Sequence, residues 1–179
     1  MPGIEYSIDM SDIVALSRGL REMENRSQDL SVPMKVAAQI LVDSVLENFQ
    51  AGGRPDAWEE LADATLLAKL PKTKILIDSG DLFDSIHGES GPDWARASTD
   101  RVYARIHQEG GVIDQEVSVS AHERLIQQAF GKPIQPKTVH VREHQRHMQV
   151  EIPARPFMLA QDEDLENIGD AVADYLMGF

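Results

Sequence analysis

Residues 31–53 read SVPMKVAAQILVDSVLENFQAGG, and this stretch decides the fold. Ser31 is a candidate N-cap, and Pro33 falls in the first turn, where its missing N–H costs nothing. Lys35, Gln39, Asp43, Glu47 and Gln50 mark one polar face. Ala37, Ile40, Leu41, Val45 and Phe49 mark the apolar one, and Val42 and Leu46 widen it. So wide a stripe predicts a helix covered on more than one side, by a sheet and by a neighbour. Gly52-Gly53 ends it, as a left-handed cap requires.

Upstream, Asp12 in a first turn and Ile13, Leu16, Leu20 and Met23 at helical spacing predict a helix over Ser11–Arg26. Ile4, Tyr6 and Ile8 alternate and predict a short strand before it. Downstream, residues 56–70 read as short helical pieces around Trp58, Leu61 and Leu66-Leu67, closing at Pro71. Ile75-Leu76-Ile77 reads as a brief buried strand or extended arm. Asp78-Ser79-Gly80 is a turn, with Leu82, Phe83 and Ile86 in a short helix or strand after it. Gly88–Asp93 reads as a hairpin-type loop and Trp94–Ser98 as a strand. Val102, Tyr103 and Ile106 return to helical spacing until Gly110-Gly111.

Residues 112–152 are the least regular. Val117 and Val119 alternate with serines, and Ala121–Phe130 reads as a short helix. Residues 131–137 form a loop with two prolines. Val139 and Val141, then Met148, Val150 and Ile152, alternate with polar residues and predict a hairpin or one long strand. Pro153 and Pro156 force an extended corner. The last helix begins in Gln161-Asp162-Glu163-Asp164, with carboxylates at its positive end, and carries Leu165, Ile168, Val172, Tyr175 and Leu176 as its buried stripe.

Composition bounds the function. The 179 residues fit one domain, and 42% hydrophobic with 26% charged residues supports a core. The formal net charge of −13 leaves no basic excess to release counterions from DNA, so static nucleic-acid binding is disfavoured while passage of DNA past an acidic wall is not. With no cysteine there is no disulfide, thiolate nucleophile or cysteine zinc site. The N-terminus lacks the pattern of a signal peptide, no stretch approaches a membrane span, and the expectation is a soluble chain made in a cytoplasm.

No constellation of residues points to catalysis. Asp78-Ser79-Gly80-Asp81 lacks the glycines of a nucleophile elbow and any local histidine, so it reads as a turn. His140, His144 and His147 raise a metal-dependent hydrolase as a minor alternative. On a strand His140 and His144 share a face and His147 points away, and solvated strand histidines are the ordinary reading. Trp58, Trp94 and Phe157 are candidate anchors, for the core by default and for a subunit interface as the alternative. Arg54 and Arg155 each precede a proline, which holds them rigid for a local loop contact or an inter-subunit ion pair.

Four motifs in order carry a resemblance: the helix ending in Phe49 with Gly52-Gly53-Arg54-Pro55 and Trp58, the run around Ser79-Gly80-Asp81-Leu82, Tyr103-Ala104-Arg105-Ile106-His107-Gln108 before paired glycines, and Pro153-Ala154-Arg155-Pro156-Phe157. Together they resemble the phage virion morphogenesis family of Mu-type morphogenesis and tail-completion proteins. The resemblance implies a small α+β subunit, a small antiparallel sheet packed on long helices, forming a homo-oligomeric ring at the head–tail junction of a tailed bacteriophage. It implies no catalytic residues, metal or cofactor. Its implied partners are connector and tail-tube proteins, with DNA passing through the lumen, no membrane, and a place in the virion neck or tail. A non-virion, chaperone-like assembly factor is the alternative. Residues 112–149 look longer than the family core needs, so the chain reads as one connector-type domain, 1–179, carrying an extended β-hairpin or arm as an insertion. The exposed edges of that arm suit pairing with another chain.

Overall fold

The computed structural model describes residues 10–63, 65–66, 74–129 and 132–179. The strand expected around Ile4–Ile8, and the expectations for Leu67, Pro71, Phe130 and Gly131, lie outside them. The architecture is α+β. It divides into a helical body and a long β-arm, with helices α1 (Ser11–Ser27), α2 (Ser31–Ala51), α3 (Ala104–Glu109) and α4 (Asp162–Met177).

Helix α2 is the axis of the body. One side packs on α4 and another on a two-stranded ladder, β1 (His87–Ser90) with β2 (Ala95–Ser98). This is the double covering its wide apolar stripe predicts. Ala37, Ala38, Val42, Val45 and Phe49 are buried. The small residues let β1 come close: a Cβ on Gly88 would stand 3.1 Å from the Ala38 carbonyl oxygen. At the C-terminus Gly52 takes the left-handed conformation (φ 78°) and its N–H returns to the Asn48 carbonyl at 3.0 Å. The start differs from expectation. Leu30 is the N-cap, and the Asp29 carboxylate accepts both the amide and the hydroxyl of Ser31. Those two hydrogen bonds hold the Asp29 carboxyl below the usual carboxylate range.

Between α2 and β1 the chain turns repeatedly. Ile75-Leu76-Ile77 makes no strand; it is a turn with Leu76 at φ 58°, packed half-buried on the core. The Asp78-Ser79-Gly80 turn stands as expected, with the Ser79 hydroxyl donating to Asp81 at 2.7 Å. Leu82 and Ile86 follow in turns and are buried. The stretch expected as a loop from Gly88 begins as strand β1, with the loop confined to residues 91–94.

The arm starts at Gly111. β3 (Gly111–Val119) pairs antiparallel with β6 (His144–Ile152), and β4 (His122–Ala129) with β5 (Lys132–Val141). Val119 faces His144 and His122 faces Val141, so one register runs through the break at residues 120–121 and 142–143. The two ladders are therefore successive halves of one ribbon, about 60 Å long at the usual strand rise. In place of the helix expected over Ala121–Phe130, His122–Ala129 is strand β4, and residues 132–137 of the expected proline loop belong to β5. A bulge between Ile126 and Gln128 absorbs Pro136, which has no N–H to give a ladder. Cross-strand pairing with β5 overrides the helical propensity of Glu123, Arg124 and Leu125.

The Pro153–Pro156 corner leads back to the body and into α4. The Asp164 carboxylate accepts the Gln161 amide at 2.7 Å, fixing the helix start. Asp164 thereby takes the inward place and Leu165 turns outward, 59% exposed, contrary to the expected buried stripe; Ile168, Val172, Tyr175 and Leu176 are half-buried. Arg26 of α1 caps the far end by donating to the Leu176 carbonyl at 3.1 Å. The stripe Ile13, Leu16, Leu20 and Met23 of α1 is left uncovered by the described residues.

Candidate functional site

Four of the five anchor candidates converge on the C-terminal end of α2. Phe49, 1% exposed, meets Trp58 edge-on at 5.9 Å, Phe83 edge-on at 5.8 Å and Phe157 at 5.0 Å. Trp58 and Phe157 are thus buried in this chain's own core. Gly53 makes that possible: it sits at φ 112°, and a Cβ there would stand 2.6 Å from the Asp56 carbonyl oxygen and 2.8 Å from the Trp58 amide. The indole N–H of Trp58 donates to the Pro156 carbonyl at 3.1 Å. The two proline-flanked segments are therefore joined directly.

A polar knot runs through this core. Asn48 is fully buried, and its Nδ2 donates to the carbonyls of Phe157 (2.9 Å) and Leu159 (2.8 Å). Its Oδ1 accepts from Arg54 Nε at 2.8 Å. Arg54 goes on to the backbone carbonyl and hydroxyl of Ser44, both at 2.9 Å, and to the Glu47 carboxylate. The Ser44 hydroxyl donates to Asp164. One arginine thus ties α2, the loop after it and the start of α4 into one unit. Buried polar groups are tolerated when every atom has a partner, and here each does. Ser44, Asn48 and Asp164 were not legible as a group. Their signal was Ser44 and Asn48 four residues apart, beside apolar Val45 and Phe49.

Arg155 holds the root of the arm. Its guanidinium donates to the Glu59 carbonyl (3.3 and 3.1 Å), and its amide to the His107 carbonyl at 2.8 Å. Gln108 Oε1 accepts the amides of Phe157 and Met158, both at 2.9 Å. Helix α3 and the segment after β6 are thereby locked together where the arm leaves the body. Beside this root lies a groove of about 480 Å³ whose wall includes Glu59, Glu60, Asp78, Asp81 and Glu151 together with His107 and Arg155. His107 Nδ1 is buried without a partner among the described residues. Burial, and secondarily the charge of Arg155, lower the His107 pKa, so the neutral imidazole is the favoured form.

Trp94 stands apart from this cluster, 43% exposed at the tip of the β1–β2 hairpin with the Arg96 guanidinium over its ring at 5.2 Å. The arm histidines do not converge. His140 lies on β5 opposite Glu123, His144 opens β6 with its Nδ1 at 2.8 Å from the Arg142 carbonyl, and His147 Nε2 reaches Asp114 at 3.1 Å. Among the described residues no group of three histidine or carboxylate side chains is arranged to hold a metal ion, and no helix is long and apolar enough to cross a membrane.

The described residues thus form a pinned α+β body with a two-stranded arm leaving it at Gly111. Residues 11–177 match the model of the phage virion morphogenesis family, and the chain belongs to that family. It is 25% identical over 168 residues to the Mu-like prophage FluMu G protein 2 of Haemophilus influenzae, covering 94% of each chain. It is 31% identical over 118 residues to the putative capsid assembly protein G of Escherichia phage Mu, covering 60% of this chain and 75% of that one. No solved structure matches it. The role of the chain is in phage virion morphogenesis, structural or in assembly.

Proposed function

We propose that the chain is a structural protein of the virion neck or tail that closes a homo-oligomeric ring at the head–tail junction, as a connector or tail terminator through which DNA passes. Family membership is the observation that carries this reading. The physical support is that the folded chain leaves surfaces that single subunits rarely leave. Ile13, Leu16 and Leu20 on α1 are more than half exposed, as is Val32 on α2. Among the described residues every strand of the arm has an unpaired edge, which is a template for further pairing. Heterologous contacts between such surfaces close rings. Thirty acidic against seventeen basic residues make a wall that does not grip phosphates, which suits a conduit. In this reading the whole chain is one connector-type domain, the arm of 112–149 is its extension toward neighbouring subunits or rings, and Trp94 with Arg96 is an outlying contact point on the hairpin tip.

A second reading is an assembly factor that leaves before the virion is complete. It is favoured by the description of the phage Mu relative as a putative capsid assembly protein. Light scattering of the purified chain, alone and mixed with head and tail components of its phage, tests the first reading: a discrete closed oligomer is expected. A monomer under every mixture sinks the ring. Mass spectrometry of purified particles separates the two readings, since a neck protein persists in them and a departing factor does not.

A further inference from the structure

The arm and the body differ in charge. Residues 111–152 hold five acidic and five basic side chains, so the entire formal charge of −13 sits outside the arm. Within the distal ladder, paired residues share a face: His122 with Val141, Arg124 with Val139, Ile126 with Lys137. One face of the ribbon is thus both cationic and apolar. No ion pair engages Arg124 or Lys137 among the described residues, and β4 and β5 pack on each other rather than on a helix of their own chain. Ile126, Val139 and Val141 on this face are half-buried, and a two-stranded hairpin with no further element packed on it is marginal in water and gains stability from a covering surface.

The matching surface is on the body. Asp162, Glu166, Asp170 and Asp174 are exposed at four-residue spacing along α4, with Leu165 (59% exposed) and Met177 (54%) beside them. Like charges at this spacing repel, so opposite charge from outside stabilises the helix. The acidic row is about 18 Å long by helix rise, and the arm face from His122 to Ile126 about 14 Å by strand rise.

We infer that the distal arm docks on α4 of a second copy of this chain, with Arg124 and Lys137 against the acidic row and Ile126, Val139 and Val141 over Leu165. This rests on the self-assembly reading above. It makes the arm the reach of one subunit onto the next and gives the contact a direction, as a ring requires.

The test is reversal and restoration of charge, read as assembly by light scattering, alone and with the phage components. Arg124→Glu with Lys137→Glu is expected to weaken assembly at least about tenfold by setting like charges together. Glu166→Lys with Asp170→Lys is expected to do the same, and the four substitutions combined to restore it. All four positions are exposed, and circular dichroism melts verify that each variant folds. A second readout uses the absence of native cysteine: Arg124→Cys and Glu166→Cys chains, mixed, cross-link to each other when arm meets α4. Assembly unchanged by arm reversal, or reversal without restoration and without the cross-link, overturns the docking and leaves the ring standing. A wild-type chain that never assembles overturns both. Duplex-DNA binding lost on arm reversal, with oligomer mass unchanged, assigns the face to nucleic acid and overturns the docking.

Discussion

The body and the arm are held together by opposite means. In the body, Phe49, Trp58 and Phe157 bury one another, and Asn48 and Arg54 stitch segments about a hundred residues apart in sequence. Its stability is tertiary. In the arm, almost every contact is between a residue and the one facing it across the ladder, and its exposed apolar side chains, such as Leu125 and Val150, have no core to enter. Its order is local. One part of the molecule is thus held by contacts between distant segments and the other by pairing along a single ladder.

The contrast breaks most readily at the aromatic cluster. Phe157→Ala removes a ring that is 1% exposed and is expected to cost about 3–5 kcal/mol, read in denaturant unfolding followed by tryptophan fluorescence. Truncating an arm residue of similar size class, Leu125→Ala at 56% exposure, is expected to change stability by less than about 0.5 kcal/mol. Equal losses would mean the arm has a core after all.

A smaller effect is expected at the polar knot. Asn48→Ala leaves the carbonyls of Phe157 and Leu159 and the Arg54 guanidinium short of a partner, for about 2–3 kcal/mol. A thermal melt unchanged by this substitution would show that water takes the place of the amide and that the knot does not hold the body.

pH probes the junction of the two regions. His107 has a depressed pKa in the folded chain, so as pH falls below the ordinary histidine value near 6.5 the unfolded chain takes up a proton that the folded chain refuses. Stability therefore declines as pH drops from about 6.5 toward the folded pKa, and levels off below it. The decline should be modest and should flatten in His107→Gln; an unaltered pH profile in that variant assigns the loss to other groups.

Little effect on the body is expected from removing the arm. Replacing residues 112–151 by an Asn-Gly turn, which joins the paired Gly111 and Ile152, is expected to leave body stability within about 1 kcal/mol of the intact chain. Hydrogen exchange of the intact chain should show α2 amides protected far longer than those of β4 and β5. A body that unfolds without its arm would make the two regions one cooperative unit.

Residues 31–53 by themselves determined the central helix, its two coverings and its glycine stop, because burial periodicity and left-handed capping are local rules. The carboxylate start of α4 and the alternation in β6 were legible for the same reason. The class of the chain was legible too: the family match bears out the resemblance read from four short motifs. That His122–Ala129 is a strand came from the tertiary fold alone, since its side chains suit a helix and the strand opposite it, not its own propensity, sets the outcome. Only it could turn Leu165 outward and Asp164 inward, because the capping carboxylate is held in that place by both the Gln161 amide and the distant Ser44 hydroxyl. And it alone brought Asn48 to Arg54, Phe157 and Leu159, for a buried amide is specified by its distant partners and carries no periodic signal of its own.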